Sequence, residues 1–220
     1  MKVFSKVKNI VIIGHGFPDI FDIISELNKS NNTKIKVLGY LDDNPKYLNK
    51  KFWGYKTIGK LNWLKYNRKN IYVVNAVGSS PKNREKVFKK IKQYRGRIIS
   101  LVYPTVSIKN TKIGKGVIIS KGSTLGYGAK IMDGVIMSWN AHVGHDSVIG
   151  KNSFLAVGSC VLGKCKISDN VFVGANAVIL NNVKIGSNCK IGICTPVIEN
   201  LKNNSVIFGN PGRVFFNNEK

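Results

Sequence analysis

Between residues 113 and 197 an aliphatic side chain recurs at every sixth position: Ile113, Ile119, Leu125, Ile131, Met137, Val143 and onward through Val197, fifteen positions without a gap. Two residues before each of them the side chain is mostly small or β-branched, as at Val117, Ser123, Ala129, Ala141, Ser147 and Cys165. Three residues after each comes a corner. Twelve of the fourteen corners from Gly116 to Cys194 are Gly, Asn or Asp, the residues that tolerate left-handed backbone dihedrals. A period of six is too short for a helical repeat and suits a short strand followed by a tight turn. Three such strands close an 18-residue coil, so the pattern predicts a triangular parallel β-helix of nearly five coils.

The first hundred residues follow a different rhythm. The buried run Ile10–Ile13 ends in Gly14-His15-Gly16, and Asp19 to Lys29 has apolar residues at helical spacing. A second strand is expected near Ile35–Leu41, ending in Asp42-Asp43. A third, Ile71–Val77, ends in Gly78-Ser79-Ser80 before a basic helix, and Ile98–Val102 reads as a fourth. Strands alternating with helices make a small parallel α/β domain, with a boundary expected at Pro104. Ligands in such sheets collect at the C-terminal strand ends, where Gly14, Gly16, Asp42, Asp43 and Gly78 fall together; ordinary tight turns also account for the glycines.

Charge complicates this picture only slightly. Lys and Arg number 35 against 11 Asp and Glu, a formal charge of +24, which invites nucleic acid. Yet 30 of the 35 are Lys scattered through both halves, with no nucleic-acid motif beside them, so no nucleic-acid partner is expected. The densest cluster, Lys82 to Arg97, carries Val87, Phe88 and Ile91 at helical spacing and reads as a surface helix with a solvated basic face. A site for an anionic small molecule, or weak attraction to an anionic membrane surface, are the alternatives. An apolar fraction of 43% excludes a disordered chain. No apolar run reaches 18 residues, so no membrane span is expected, and Ile10–Ile13 is too short for a signal-peptide core; a cytoplasmic location follows as the expectation. Cysteines 160, 165, 189 and 194 form two C-x4-C pairs inside the hexads and read as small buried hydrophobes, with no metal site expected.

Candidate chemistry centres on His145, two residues after Val143 and just before a corner, where a side chain faces outward. An imidazole titrates near neutrality and so can take a proton from an attacking group as a general base. Asp146 either orients the ring or serves as a corner residue. His142 also points outward and reads as a surface histidine. Metal-assisted chemistry would want three His, whereas the third, His15, belongs to the other domain. One coil after His145 comes Gly163, where the lack of a side chain leaves the backbone N–H open beside the ring.

The glycine turn after the first strand, Gly39-Tyr-Leu-Asp-Asp43, Ala76-Val-Gly78 with Arg84 following, Tyr103-Pro-Thr105, Gly144-His-Asp-Ser147 and Gly209-Asn-Pro-Gly-Arg213 extend over nearly the whole chain. Together they resemble the family of sialic acid O-acetyltransferases and bacterial UDP-4-amino-sugar N-acetyltransferases. The resemblance implies a left-handed β-helix acyltransferase domain at 104–220, a Rossmann-like nucleotide-sugar-binding domain at 1–103, and a homotrimer with a cofactor groove between adjacent prisms. It implies acetyl-CoA as acyl donor, His145 and Asp146 as the catalytic pair, and cofactor contacts at Phe154, Gly163, Ala175 and Ile193. Substrate contacts map to Gly14, Gly16, Asp42, Asp43 and Gly78. Two departures stand out: a His often fills the place of Phe154 in the amino-sugar enzymes, and Phe17-Pro18 stand where flexible residues are usual. Ser138, Trp139 and Asn140 either shape the acceptor pocket or are surface and corner residues. The expected activity is N-acetylation of a nucleotide-linked amino sugar for bacterial surface glycans or glycoproteins. O-acetylation of a sialic acid and a non-catalytic scaffold or sugar-binding role are the alternatives.

Overall fold

The computed structural model describes residues 6–30, 33–67, 69–78 and 80–217, and Ser79 of the expected turn lies outside them. The chain opens with β1 (Lys6–Ile13), α1 (Asp19–Ser30), β2 (Thr33–Leu41), a short hairpin of β3 (Lys51–Phe52) and β4 (Tyr55–Gly59), β5 (Ile71–Asn75), α2 (Pro81–Gln93) and β6 (Arg97–Ile98). These strands form one sheet in the order β3-β4-β2-β1-β5-β6, parallel except for β3 against β4. The central β1 is buried on both faces from Ile10 to Ile13, which is why it reads as a continuous apolar run without alternation.

The expected fourth strand divides. Its first part, β6, pairs with β5, while β7 (Leu101–Val102) pairs with Ile118–Ile119 of the first β-helix coil. One short extended stretch thus ties the α/β sheet to the prism. Fifteen two-residue strands follow, β8 (Lys112–Ile113) through β22 (Pro196–Val197), and then β23 (Ser205–Phe208) and β24 (Arg213–Asn217). Every pairing among β8–β22 joins residues 18 apart, as in Lys130 with Lys112 and His142 with Cys160. All fourteen corners have positive φ, from Gly116 at 65° to Cys194 at 51°. The repeated aliphatic residues fill the prism interior, with only Ile113 and Leu125, in the first coil, half-buried.

The prism has three faces with different neighbours. The docked face, which includes β7, β23 and β24, lies against the α/β unit. The lysine face presents Lys112, Lys130, Val148, Lys166 and Lys184 outward, and the open face presents Thr124, His142, Cys160, Val178 and Pro196. Docking is apolar at two places. Phe17 meets Phe154 edge-on with ring centroids 6.1 Å apart, and the Phe88 ring packs over the corner glycines Gly116 and Gly134, where a β-carbon would stand 2.7 and 2.8 Å from it.

Between these contacts Arg84 is fully buried, with no carboxylate partner among the described residues. Its Nε donates to the Gly134 carbonyl at 3.0 Å, one Nη to the carbonyls of Val77 (2.6 Å) and Gly78, and the other Nη to that of Asn152. The guanidinium also sits 5.8 Å from the Phe154 ring centroid. Burial pushes its pKa down to about 9, so it remains a cation at neutral pH. One side chain thereby joins the end of β5 to two prism corners, and its planar fork suits several carbonyls at once.

Candidate active site

His145 stands at the corner between the open face and the lysine face, its side chain 55% exposed. Its Nδ1 lies 3.0 Å from Asp146 Oδ2. Asp146 occupies the corner with φ of 58°, and from there its carboxylate reaches the ring. A carboxylate accepts only, so Nδ1 donates to it, and in a neutral ring Nε2 is then the nitrogen left as acceptor. That free nitrogen rests against Gly163 on the next coil, where a β-carbon would fall 2.5 Å from it. The Gly163 N–H has no acceptor among the described residues. A proton acceptor and an unpaired donor are thus neighbours on one exposed corner. A developing oxyanion needs a donor held in this way beside the base.

Ala175 and Ile193 lie one coil apart on the other edge of the open face, and Ile193 is 72% exposed. Within one chain they are therefore separated from His145 by the width of that face. Phe154 has a different setting. It is only 7% exposed, stacked on Phe172 and covered by Phe17 and Arg84, so in this chain it forms the seam between the units and not an open cofactor wall. An aromatic side chain on the docked face finds an apolar neighbour there. The departure at Phe17 has the same cause, since that residue fills the other half of the seam.

Ser138 is buried, with its Oγ 3.4 Å from Asp19 Oδ2, while Trp139 is about half exposed and Asn140 makes a corner with φ of 56°. His142 lies on the open face, its Nδ1 2.6 Å from Thr124 Oγ1. The cysteines divide: Cys165 and Cys189 are buried, burial raising both thiols, whereas Cys194 is an exposed corner; all four are free.

At the C-terminal end of the α/β sheet, Gly14, Asp42 and Asp43 line a cleft of about 220 Å³ with Leu61, Lys86 and Lys90. Gly14 has φ of 95°, and a β-carbon there would stand 2.7 Å from Val77 N, so the turn requires glycine. Gly78 packs beside Gly16, whose own β-carbon would meet nothing within 4 Å. Asp43 accepts from Leu61 N–H at 2.9 Å and from Lys90 Nζ at 2.5 Å; burial raises its pKa, but these donors outweigh it and hold the carboxyl low. Asp42 Oδ1 accepts from Asn44 N–H, and its Oδ2 is 3.6 Å from His15 Nδ1.

His15 is the residue that sequence reasoning set aside. It stacks on Phe52 at 3.8 Å between Tyr40 and Tyr47, and its buried Nε2 has no hydrogen-bond partner among the described residues. Burial lowers its pKa against the pull of Asp42. A larger cleft of about 630 Å³, lined by Val7, Phe21, Ile24 and Tyr55 among others, opens at the opposite end of the strands. Its mostly apolar walls carry none of the expected site residues.

The family described as Bacterial transferase hexapeptide (six repeats) matches residues 164–192. A search of curated proteins found no match. Among solved structures, the acetyltransferase domain of PglB from Neisseria gonorrhoeae superposes with a TM-score of 0.82 at 21% identity, covering 94% of this chain and 100% of that one. The same domain has also been solved with acetyl coenzyme A. A variant of perosamine N-acetyltransferase from Caulobacter crescentus, in complex with CoA and GDP-perosamine, matches at 0.82 and 22% identity over 95% of this chain and 97% of that one. WeeI from Acinetobacter baumannii matches at 0.81 and 18% identity over 96% and 100%. This chain therefore has the fold of those acetyltransferases, a small parallel α/β unit running into a left-handed hexapeptide β-helix.

Proposed function

We propose that this protein is an acetyl-CoA-dependent N-acetyltransferase acting on the amine of a nucleotide-linked amino sugar, in the cytoplasmic stages of bacterial surface glycan or glycoprotein sugar synthesis. The observation that carries the reading is the His145–Asp146 pair set against the unpaired N–H of Gly163. In the proposed reaction His145 Nε2 takes the proton from the amine as its nitrogen attacks the thioester carbonyl. Gly163 N–H donates to the oxygen as it gains charge. Collapse breaks the C–S bond, and the proton on His145 passes to the departing thiolate, so no covalent enzyme intermediate is needed. Asp146 keeps the ring in the tautomer that accepts at Nε2. Similarity to structures solved with acetyl coenzyme A and with GDP-perosamine supports both substrates. Residues 1–103 would bind the nucleotide sugar at Gly14, Gly16, Asp42, Asp43 and Gly78, and residues 104–220 would carry out the transfer.

The open face supports a homotrimer. It exposes Trp139, Val157, Val178, Leu180, Ile193 and Ile198, each 40% or more accessible. In a threefold ring the two edges of one face meet different neighbours. The edge bearing His145 and Gly163 would then face the edge of the next copy bearing Ala175 and Ile193, uniting the base with the expected cofactor contacts. A sedimentation mass near three times the 24.3 kDa chain is the expected result.

The deciding experiment measures CoA release from acetyl-CoA with a panel of UDP-, GDP- and dTDP-amino sugars and free sialic acid, for wild type and His145→Ala. Turnover with a nucleotide amino sugar, lost by roughly a hundredfold or more in the variant, is expected. Turnover on sialic acid alone would replace N- with O-acetylation. Equal rates in both proteins would remove His145 from the mechanism.

A further inference from the structure

We infer that Ser147 is a positioning residue for the oxyanion donor, an inference that rests on the acetyltransferase reading above. Its side chain is fully buried beneath the His–Asp corner. Its Oγ donates to the Leu162 carbonyl at 2.7 Å and accepts from Cys165 N–H at 2.9 Å. The Leu162 carbonyl and the Gly163 N–H are the two ends of a single peptide group. That group is planar and trans, so a bond that fixes the carbonyl fixes the direction of the N–H, which points the opposite way.

The flanking peptides are held by the ladder, Leu162 N–H on Ile179 O at 3.0 Å and Lys164 N–H on His145 O at 2.8 Å. The peptide between them accepts from Ser147 alone among the described residues. A hydrogen bond at the carbonyl also polarises the amide, so its N–H becomes a stronger donor. Ser147 therefore acts on the reacting oxygen through the peptide and without touching it.

The same chain contains the matched control. One hexad later, Ser153 Oγ donates to Ser168 O at 3.2 Å and accepts from Val171 N–H at 3.1 Å, but the peptide it holds lies at a corner between the lysine and docked faces. Ser147 and Ser153 thus contribute the same pair of bonds to the prism, and only Ser147 holds the amide beside His145. A thiol can make the same contact, as Cys165 Sγ does with Leu180 O at 3.1 Å and Cys189 Sγ with Lys202 O at 3.0 Å.

The test compares wild type, Ser147→Ala, Ser147→Cys and Ser153→Ala in kcat, in KM for acetyl-CoA and in melting temperature, with the amide spectrum of the 15N-labelled protein recorded for each. Both alanine variants should lose similar thermal stability. Only Ser147→Ala should lower kcat, by roughly tenfold with KM unchanged, and the cysteine variant should recover part of the loss. The Gly163 amide signal should move in Ser147→Ala and stay in place in Ser153→Ala. Equal kcat in the two alanine variants, or a Ser147→Ala defect confined to KM, overturns the positioning role while leaving the acetyltransferase reading intact. An unmoved Gly163 signal overturns it whatever the activity. A wild type that turns over no acceptor overturns both.

Discussion

Adding one methyl group at Gly163 tests the active-site geometry most directly. A β-carbon at that position would lie 2.5 Å from His145 Nε2, 2.8 Å from Cδ2 and 3.1 Å from Cε1, whereas ordinary contact begins near 3.4 Å. The ring in Gly163→Ala must therefore retreat by roughly 0.9 Å, the difference between 3.4 and 2.5 Å, or rotate off Asp146. A displacement of about 1 Å at a reacting group costs about a hundredfold in rate, or roughly 2.7 kcal/mol in activation free energy. Stability should barely change. The imidazole is 55% exposed and has solvent to move into, and Gly163 is not among the left-handed positions. The assay is CoA release under saturating acetyl-CoA, with denaturant unfolding run in parallel. A kcat within threefold of wild type would refute the claim that Nε2 must sit against Gly163. Loss of more than about 2 kcal/mol of stability would show instead that the prism backbone, and not the ring, absorbs the methyl group.

Two further predictions concern the α/β unit. Arg84→Met keeps much of the buried volume but leaves the carbonyls of Val77, Gly78, Gly134 and Asn152 without their donor; urea unfolding should show a loss on the order of 3–5 kcal/mol, with Arg84→Lys intermediate, and a loss under about 1 kcal/mol would contradict the clamp. His15 is held neutral in the fold by burial, so below its ordinary value of 6.5 the unfolded chain binds a proton that the native state does not. Stability should accordingly fall as pH drops through 6.5 toward the lowered native value; His15→Phe, which can still stack on Phe52, should flatten that part of the profile, and parallel profiles for the two proteins would exclude His15 as the cause.

The prism was legible because its signal repeats. Each of the fifteen aliphatic positions carries little information alone, but a shared register and corner residues at a fixed offset leave one geometry that satisfies both. The larger α/β strands and both helices were legible from apolar runs and helical spacing. The hairpin at Lys51–Gly59 was not, because β3 has two residues and β4 five, too few for alternation to register. Nor was the division of Ile98–Val102, since a parallel strand end reads the same whichever sheet receives it.

Within the site, His145, Asp146 and Gly163 were singled out by the family resemblance at their place in the repeat, and Phe154 is a position whose surroundings the repeat could not specify. An outward apolar residue on a hexad has the same pattern whether it meets a cofactor or a neighbouring unit, and only the tertiary contact with Phe17 and Arg84 decides. Arg84 did leave a trace. In a chain where 30 of 35 basic residues are Lys, an Arg one turn before Phe88 on the same helix face marks a position where a fork of donors is needed. Ser147 left none, because Ser is also common elsewhere at that hexad position for plain packing.

The C-terminal end of the prism bears on how the molecule behaves in solution. Stacked parallel coils end in an edge of unpaired backbone groups, which can template the addition of another chain. Here each face is terminated differently. On the docked face β24 folds back antiparallel on β23. On the lysine face Leu201 bridges to Ile185 beyond the last strand. On the open face the last strand begins with Pro196, which has no N–H to offer, and Gly212 packs so closely over its carbonyl that a β-carbon would stand 2.5 Å away. A second copy would have to displace each of these caps before it could continue the coil stack end to end.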